Sequence, residues 1–161
     1  NGKKMKLSEL VMRDAVVDNL KARDKAGALR ELVQVLKTSR KATGFKIDDV
    51  VEALLKREKI GSTGMGGGVA LPHAKVEGVS SLMGAFGRSV EGLEFGAVDG
   101  EKVHLMFLII SPVQDVNMHL LALKRITTAV RTPNIAKFLK AAKSGKEIYE
   151  LFREIDETSA A

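Results

Sequence analysis

His73 closes a run that opens with a cation and passes through a glycine-rich loop: Arg57-Glu58-Lys59-Ile60-Gly61-Ser62-Thr63-Gly64-Met65-Gly66-Gly67-Gly68-Val69-Ala70-Leu71-Pro72-His73. An imidazole with an ordinary pKa of about 6.5 is largely neutral at pH 7 and can act as nucleophile, base or metal ligand. Pro72 fixes its own backbone angle and biases Leu71 toward extended geometry, so His73 is presented from a stiff segment. Five glycines among residues 61–68 allow backbone N–H groups to approach an anion closely. That makes the loop a candidate phosphate cradle, and Ser62, Thr63 and Gly64 its candidate donors. On composition alone a plain turn fits equally well, and the run reads as unsuited to the interior of a helix or strand.

Other chemistries fail on spacing. A phosphate-binding Walker loop needs Gly-x-x-x-x-Gly-Lys-Ser/Thr, and no lysine follows these glycines. A dinucleotide fingerprint needs a helix after the loop, whereas Leu71-Pro72-His73 reads as strand. Gly-x-Ser-x-Gly is absent, which removes the serine-hydrolase elbow. His73, His104 and His119 show no short metal-ligand spacing, and His-Glu-x-x-His does not occur. His104, between Val103 and Leu105 at the head of an apolar run, reads as structural. No metal site is expected.

The elements that must carry these residues follow from periodicity. Ala15–Val17 is a short extended piece. Asp24 suits the N-cap of a helix reaching Lys37, with Leu29, Leu32, Val33 and Leu36 on one stripe. A second helix starts near Asp48, and Lys56-Arg57-Glu58-Lys59 closes it, where cations suit the negative end of the helix dipole. Strands are expected over Val69–Val76, Leu82–Phe86 and Val103–Ile110, with a turn over Glu94–Gly100. Ser111-Pro112 ends the last strand. A helix over Val116–Arg131 carries apolar Leu120, Leu121, Leu123 and Ile126. Pro133 separates it from a short helix ending near Ala142, and Ser144 caps a final helix over Gly145–Ile155. Helices and strands alternate, and the central strands are apolar enough to be covered on both faces. This predicts one α/β domain, a sheet between helical layers.

With 161 residues, 45% hydrophobic and 29% charged, the chain fits one ordinary globular domain. No apolar run approaches the roughly 20 residues of a bilayer span, so no membrane insertion is expected. Zero cysteines exclude disulfide scaffolds, thiolate zinc sites and cysteine nucleophiles, and lean toward the cytoplasm. The net charge of +6 resides entirely in residues 1–60, which hold 15 Lys/Arg against 9 Asp/Glu; the remainder balances at 11 against 11. With no Trp and one Tyr for base stacking, that excess reads as a solvated basic face and not as a nucleic-acid site.

The run from Arg57 to His73 resembles the signature of phosphotransferase-system IIA domains of the fructose, mannitol and nitrogen-regulatory class. Pro112 followed by His119-Leu120-x-x-Leu123 is similar to the place where that family carries a second active-site histidine. The turn Phe95-x-x-Val98-Asp99-Gly100 before Val103–Ile110 is similar as well. Gly67, often polar in the family, and Ala74, often glycine, are minor departures. The resemblance covers about Leu7 to Ile155, which implies one α/β domain over residues 7–155, a mixed sheet flanked by helices on both faces, with residues 1–6 and 156–161 as disordered ends. It implies an α/β sandwich and a phosphohistidine relay without a cofactor, in which His73 takes a phosphoryl group from an HPr-type phosphocarrier while Arg57 and His119 flank it. It further implies an onward partner, either a IIB phosphoacceptor in sugar uptake or a regulatory target protein. The chain carries no fused IIB or permease segment, which leans toward the nitrogen-regulatory branch. A binding module switched by phosphorylation is the alternative from another class, since a phosphohistidine adds negative charge to an interface.

Overall fold

The computed structural model describes residues 5–158. Its elements run α1 (Leu7–Leu10), β1 (Val11–Val17), α2 (Lys25–Arg40), α3 (Ile47–Ile60), β2 (Gly64–Gly66), β3 (Val69–Ala70), β4 (His73–Lys75), β5 (Met83–Leu93), β6 (Val103–Ser111), α4 (Val116–Arg131), α5 (Ile135–Ala141) and α6 (Gly145–Thr158). The six strands form one mixed sheet in the order β1-β5-β6-β3-β2, with β4 pairing β6 on the same side as β3. β6 is the hub. It runs antiparallel to β5 and parallel to β3 and β4.

The apolar run of β6 is the reason for its central place. Successive side chains of a strand point to opposite faces, so a continuously apolar strand supplies two cores at once. Val103, Met106, Leu108 and Ile110 join the core under α2 and α3, with Leu29, Leu32, Val33, Leu36, Val50 and Leu54. Leu105, Phe107 and Ile109 join the opposite core under α4 and α6, with Ile126, Ile148 and Phe152. Helices therefore cover both faces of the sheet, the expected α/β sandwich.

The local signals explain most boundaries. The Asp24 carboxylate accepts from the Gly27 N–H at 2.7 Å and starts α2, which runs to Arg40 before Lys41 ends it in a left-handed conformation (φ 51°). Ser144 accepts from the Glu147 N–H at 3.1 Å and starts α6.

Several expectations are corrected. The glycine loop does hold a strand: Gly64–Gly66 pairs antiparallel with Val69–Ala70, and Gly67 (φ 67°) and Gly68 (φ 81°) make the tight turn between them in a region that glycine alone occupies cheaply. The strand expected over Val69–Val76 is divided into β3 and β4 at Leu71-Pro72, where proline lacks the N–H for a continuous ladder. β1 and β5 extend well beyond the pieces expected at Ala15–Val17 and Leu82–Phe86, and α1 was not foreseen.

At the C-terminus, α6 continues through Asp156 to Thr158, so an end beginning at residue 156 is incorrect as far as 158. The Asp156 carboxylate accepts from the Leu7 N–H at 2.7 Å, from Ser8 Oγ at 2.6 Å and from Arg125 Nη2 at 2.8 Å, all in a buried setting. Residues 5 and 6 are placed as well, and the Met5 carbonyl accepts from Arg125 Nε at 3.0 Å. Residues 1–4 and 159–161, the rest of the expected disordered ends, lie outside the described residues.

Candidate active site

Three elements converge at the end of β6 where the chain leaves the sheet for α4. In register, His73 faces Ile109 and Lys75 faces Ser111. α3 ends beside β4, bringing Arg57 and Glu58 toward it. The C-terminal edge of sheet strands is where open α/β sheets place their ligands.

His73 is half-buried, and its Nδ1 lies 2.7 Å from the Leu71 carbonyl. A carbonyl only accepts, so Nδ1 carries the proton and the lone pair sits on Nε2. Burial lowers the pKa of His73 below its ordinary value; the Leu71 hydrogen bond opposes this, the Arg57 charge adds to it, Glu58 opposes it and Lys75 adds to it. The neutral, nucleophilic imidazole is therefore the prevailing form at pH 7.

His119 comes from the opposite side. Its ring centroid is 5.4 Å from that of His73, with the planes tilted by 57°. It is only 5% exposed. The helix phase explains this. His119, Ala122, Ile126 and Ala129 form the buried stripe of α4, whereas Leu120 and Leu121 are 57% and 51% exposed. His119 Nδ1 lies 2.5 Å from Ser111 Oγ. Burial first, then the charges of His73 and Lys75, push its pKa down to about 4.

Arg57 stands in the last turn of α3, where its Nη1 donates to the Gly61 carbonyl at 2.7 Å. One arm of the guanidinium thus closes the helix, and its charge reaches His73 strongly enough to depress that pKa.

The three candidate phosphate donors of the loop each have a hydrogen-bond partner in the protein. Ser62 Oγ donates to the Phe95 carbonyl at 2.8 Å and accepts from the Gly64 N–H at 3.0 Å. The Thr63 N–H donates to Glu58 Oε1 at 3.1 Å, and its hydroxyl donates to Glu58 Oε2. These bonds tie the loop to Phe95 and to Glu58 of α3, since a buried polar group needs a partner.

Glu58, read from the sequence as part of a charged helix end, is a buried carboxylate paired with Lys25 Nζ at 2.9 Å. Lys75 and Ser111 are two further residues that sequence reasoning passed over. Lys75 follows His73 by two on the same strand and so shares its face. Ser111 carried a faint signal, a polar residue ending an otherwise apolar strand. His104 belongs elsewhere: it lies near the other end of β6, with Nδ1 2.9 Å from the Ser89 carbonyl.

A lone pair on a neutral imidazole, a second imidazole beside it and a guanidinium nearby make a set suited to receiving a phosphoryl group. Such a transfer needs positioning and charge stabilisation and little covalent chemistry from the surroundings. Val113, Val116, Leu120 and Leu121, close to His119 in the chain, are exposed.

Comparison with known proteins agrees with this chemistry. Residues 9–155 match the family model described as the phosphoenolpyruvate-dependent sugar phosphotransferase system, EIIA 2. The nitrogen regulatory protein of Bradyrhizobium diazoefficiens is 37% identical over 91% of this chain and 94% of its own length. The fructose-specific EIIABC component of Bacillus subtilis is 35% identical over 94% of this chain, which corresponds to 24% of that longer protein. Among solved structures, the nitrogen regulatory protein IIA-Ntr of Neisseria meningitidis superposes with a TM-score of 0.82 at 31% identity, covering 91% of this chain and 98% of that one. The likeness spans the whole sandwich and both histidine-bearing elements, and the chain belongs to the EIIA type 2 family of the phosphoenolpyruvate-dependent sugar phosphotransferase system, a component of its phosphoryl relay.

Proposed function

We propose that His73 is the phosphoacceptor, that it takes its phosphoryl group from the phosphohistidine of an HPr-type carrier, and that the phosphorylated protein serves nitrogen regulation. The observation that carries the reading is the Nδ1 contact of His73 with the Leu71 carbonyl at 2.7 Å, which leaves Nε2 as the nucleophile. In the transfer, the Nε2 lone pair forms the new N–P bond while the carrier's N–P bond breaks and its electron pair returns to the carrier imidazole. The carrier's phosphorylated ring holds a proton on its other nitrogen, so it leaves as a neutral imidazole and no proton has to pass between the rings. Positive charge developing on the His73 ring is met by the Leu71 carbonyl, which already accepts from Nδ1–H. Arg57 offers the guanidinium arms not used at Gly61 to the phosphoryl oxygens. His119 offers a neutral donor. A modest charge suits a relay, because a phosphate held too tightly would not be passed on.

The regulatory assignment draws on the likeness to nitrogen regulatory proteins along nearly the full length of both chains. The second reading, a IIA component of fructose-type sugar uptake, is favoured by the likeness to the Bacillus subtilis component. Either role places the protein in the cytoplasm with the carrier.

The test is incubation with phosphorylated HPr-type carrier, followed by mapping of the acid-labile, base-stable adduct. His73 should carry it, and His73→Ala should carry none. The donor is already an activated phosphoramidate, so transfer should proceed without nucleotide and in excess EDTA. Labelling of His73→Ala, or a need for ATP, would refute the assignment. The phosphorylated protein is then mixed with a fructose-type IIB domain: slow or absent passage fits the regulatory role, and rapid passage fits transport.

A further inference from the structure

Ser111 ends β6 with no exposed surface, and the transfer described above makes no use of it. Its main chain is fixed on the β4 side, where it pairs in register with Lys75 and its carbonyl accepts from the Val76 N–H at 2.9 Å. Its hydroxyl has one hydrogen-bond partner among the described residues, Nδ1 of His119 at 2.5 Å. The ring is held from its own side by α4, in which the His119 N–H donates to the Asp115 carbonyl at 3.1 Å.

The direction of the Ser111–His119 bond follows from the burial. A buried hydroxyl proton requires an acceptor. If His119 donated from Nδ1, Ser111 Oγ would accept and its own proton would have no partner. If Ser111 donates, both groups are satisfied, and the ring's single proton must sit on Nε2. We propose that Ser111 is a positioning residue for phosphoryl transfer: it donates to Nδ1 of His119 and fixes that ring as the Nε2–H tautomer, which makes His119 a neutral donor toward the phosphoryl group on His73.

The site then holds two imidazoles in opposite tautomers, each set by one oxygen. The Leu71 carbonyl takes the Nδ1 proton of His73 and frees Nε2 as a nucleophile. The Ser111 hydroxyl occupies the Nδ1 lone pair of His119 and leaves Nε2–H as a donor. With the His119 pKa down at about 4, the ring is neutral at working pH, so its tautomer and not its charge decides what it offers. A single flipped proton would present a lone pair to a phosphoryl dianion and repel it.

The proposal rests on His73 being the phosphoacceptor, and the experiment separates the two. Long-range proton–nitrogen spectra of the protein with nitrogen-15 histidine report each tautomer without any transfer. The wild type should show His119 as Nε2–H and His73 as Nδ1–H. In Ser111→Ala, His119 should lose its single tautomer while His73 keeps its own. Phosphorylation of His73 by phosphorylated HPr-type carrier should slow by about 10–100-fold, as when other partners that orient a histidine are removed. Ser111→Thr, which keeps the hydroxyl, should restore both tautomer and rate. Wild-type His119 in the Nδ1–H form overturns the proposal even if Ser111→Ala does not fold. So does an unchanged tautomer or an unchanged rate in Ser111→Ala. A wild type that accepts no phosphoryl group refutes the phosphoacceptor reading first, and is recognised by normal tautomers without labelling.

Discussion

The rings of His73 and His119, one on a strand and the other on a helix, lie 5.4 Å apart between centroids, and each carries a depressed pKa. Burial is the leading cause for both, and for His119 a charge on His73 is the next. Two imidazolium ions at this separation would repel each other in a setting that already penalises charge.

Proton-detected titration should therefore find His73 ionising below about 6.5 and His119 near 4. Between those limits the unfolded chain binds a proton at residue 119 that the folded chain refuses, so folding stability falls as pH drops from about 6.5 and levels off near 4. The loss attributable to His119 is on the order of 2 kcal/mol. Urea unfolding at pH 7.5 and pH 4.5 should show it in the wild type and not in His119→Gln. Equal pH dependence in the two proteins would contradict the coupling.

Arg57 has two tasks that mutation can separate. Arg57→Ala should slow phosphorylation of His73 by about 10²–10³-fold, in keeping with the loss of a preorganised charge stabiliser. It should cost at most about 1 kcal/mol of stability, because the hydrogen bond to the Gly61 carbonyl caps a half-exposed helix end. Arg57→Lys should keep the charge and recover only part of the rate, since an ammonium lacks the planar fork. Equal rates for wild type and Arg57→Ala would remove Arg57 from the transfer.

Glu58 is predicted to act through the loop. Its carboxylate binds both the N–H and the hydroxyl of Thr63 and is paired with Lys25. Glu58→Ala leaves those groups without their acceptor and should destabilise the fold by about 2–4 kcal/mol. Glu58→Gln keeps the size and one acceptor and should cost less. It also removes a negative charge that favours protonated His73, so the His73 midpoint should move further down. An upward or absent movement in the titration would show that the Glu58 charge does not reach the imidazole.

The sequence-derived expectations succeeded where a signal is local. Asp24 and Ser144 announce their helices through capping, and the bounds of α4 came out as expected. The run from Arg57 to His73 is contiguous, so its resemblance to a family could be read directly. What failed depends on phase or on partners distant in the chain. The helix was read as apolar at Leu120 and Leu121, and its buried stripe runs through His119, Ala122 and Ile126. The glycine loop was read for what its N–H groups could offer to an anion, and its strand pairing with Val69–Ala70 was missed. Ser62 and Thr63 looked available until Phe95 and Glu58 were seen to occupy them. Ser111 looked like the end of a strand, because its partner lies a loop away on the next helix.

Asp156 was read as the start of a loose end and is instead the clasp between the two ends of the described chain. Its side chain is 6% exposed and that of Arg125 is 7% exposed, and the pair is joined at 2.8 Å. Burial alone would push the Asp156 carboxyl up. Hydrogen bonds from Ser8, Leu7 and Arg125 outweigh that and hold it below the usual carboxylate range. Its contribution to stability is accordingly present at neutral pH and is lost as pH falls below about 3.9 through the lower folded-state value. Asp156→Ala, or truncation after Ile155, leaves the Arg125 guanidinium buried without its counter-ion and should cost about 3–5 kcal/mol at pH 7. Among the described residues, Arg125 would keep only its bond to the Met5 carbonyl, and α1 would lose the acceptor for the N–H groups of Leu7 and Ser8. Chemical denaturation at pH 7 measures the loss. The truncated protein should still titrate His73 below about 6.5, because α4 meets β6 independently of this clasp. A truncation with wild-type stability would mean that the family domain ends before Asp156 and that the clasp holds nothing.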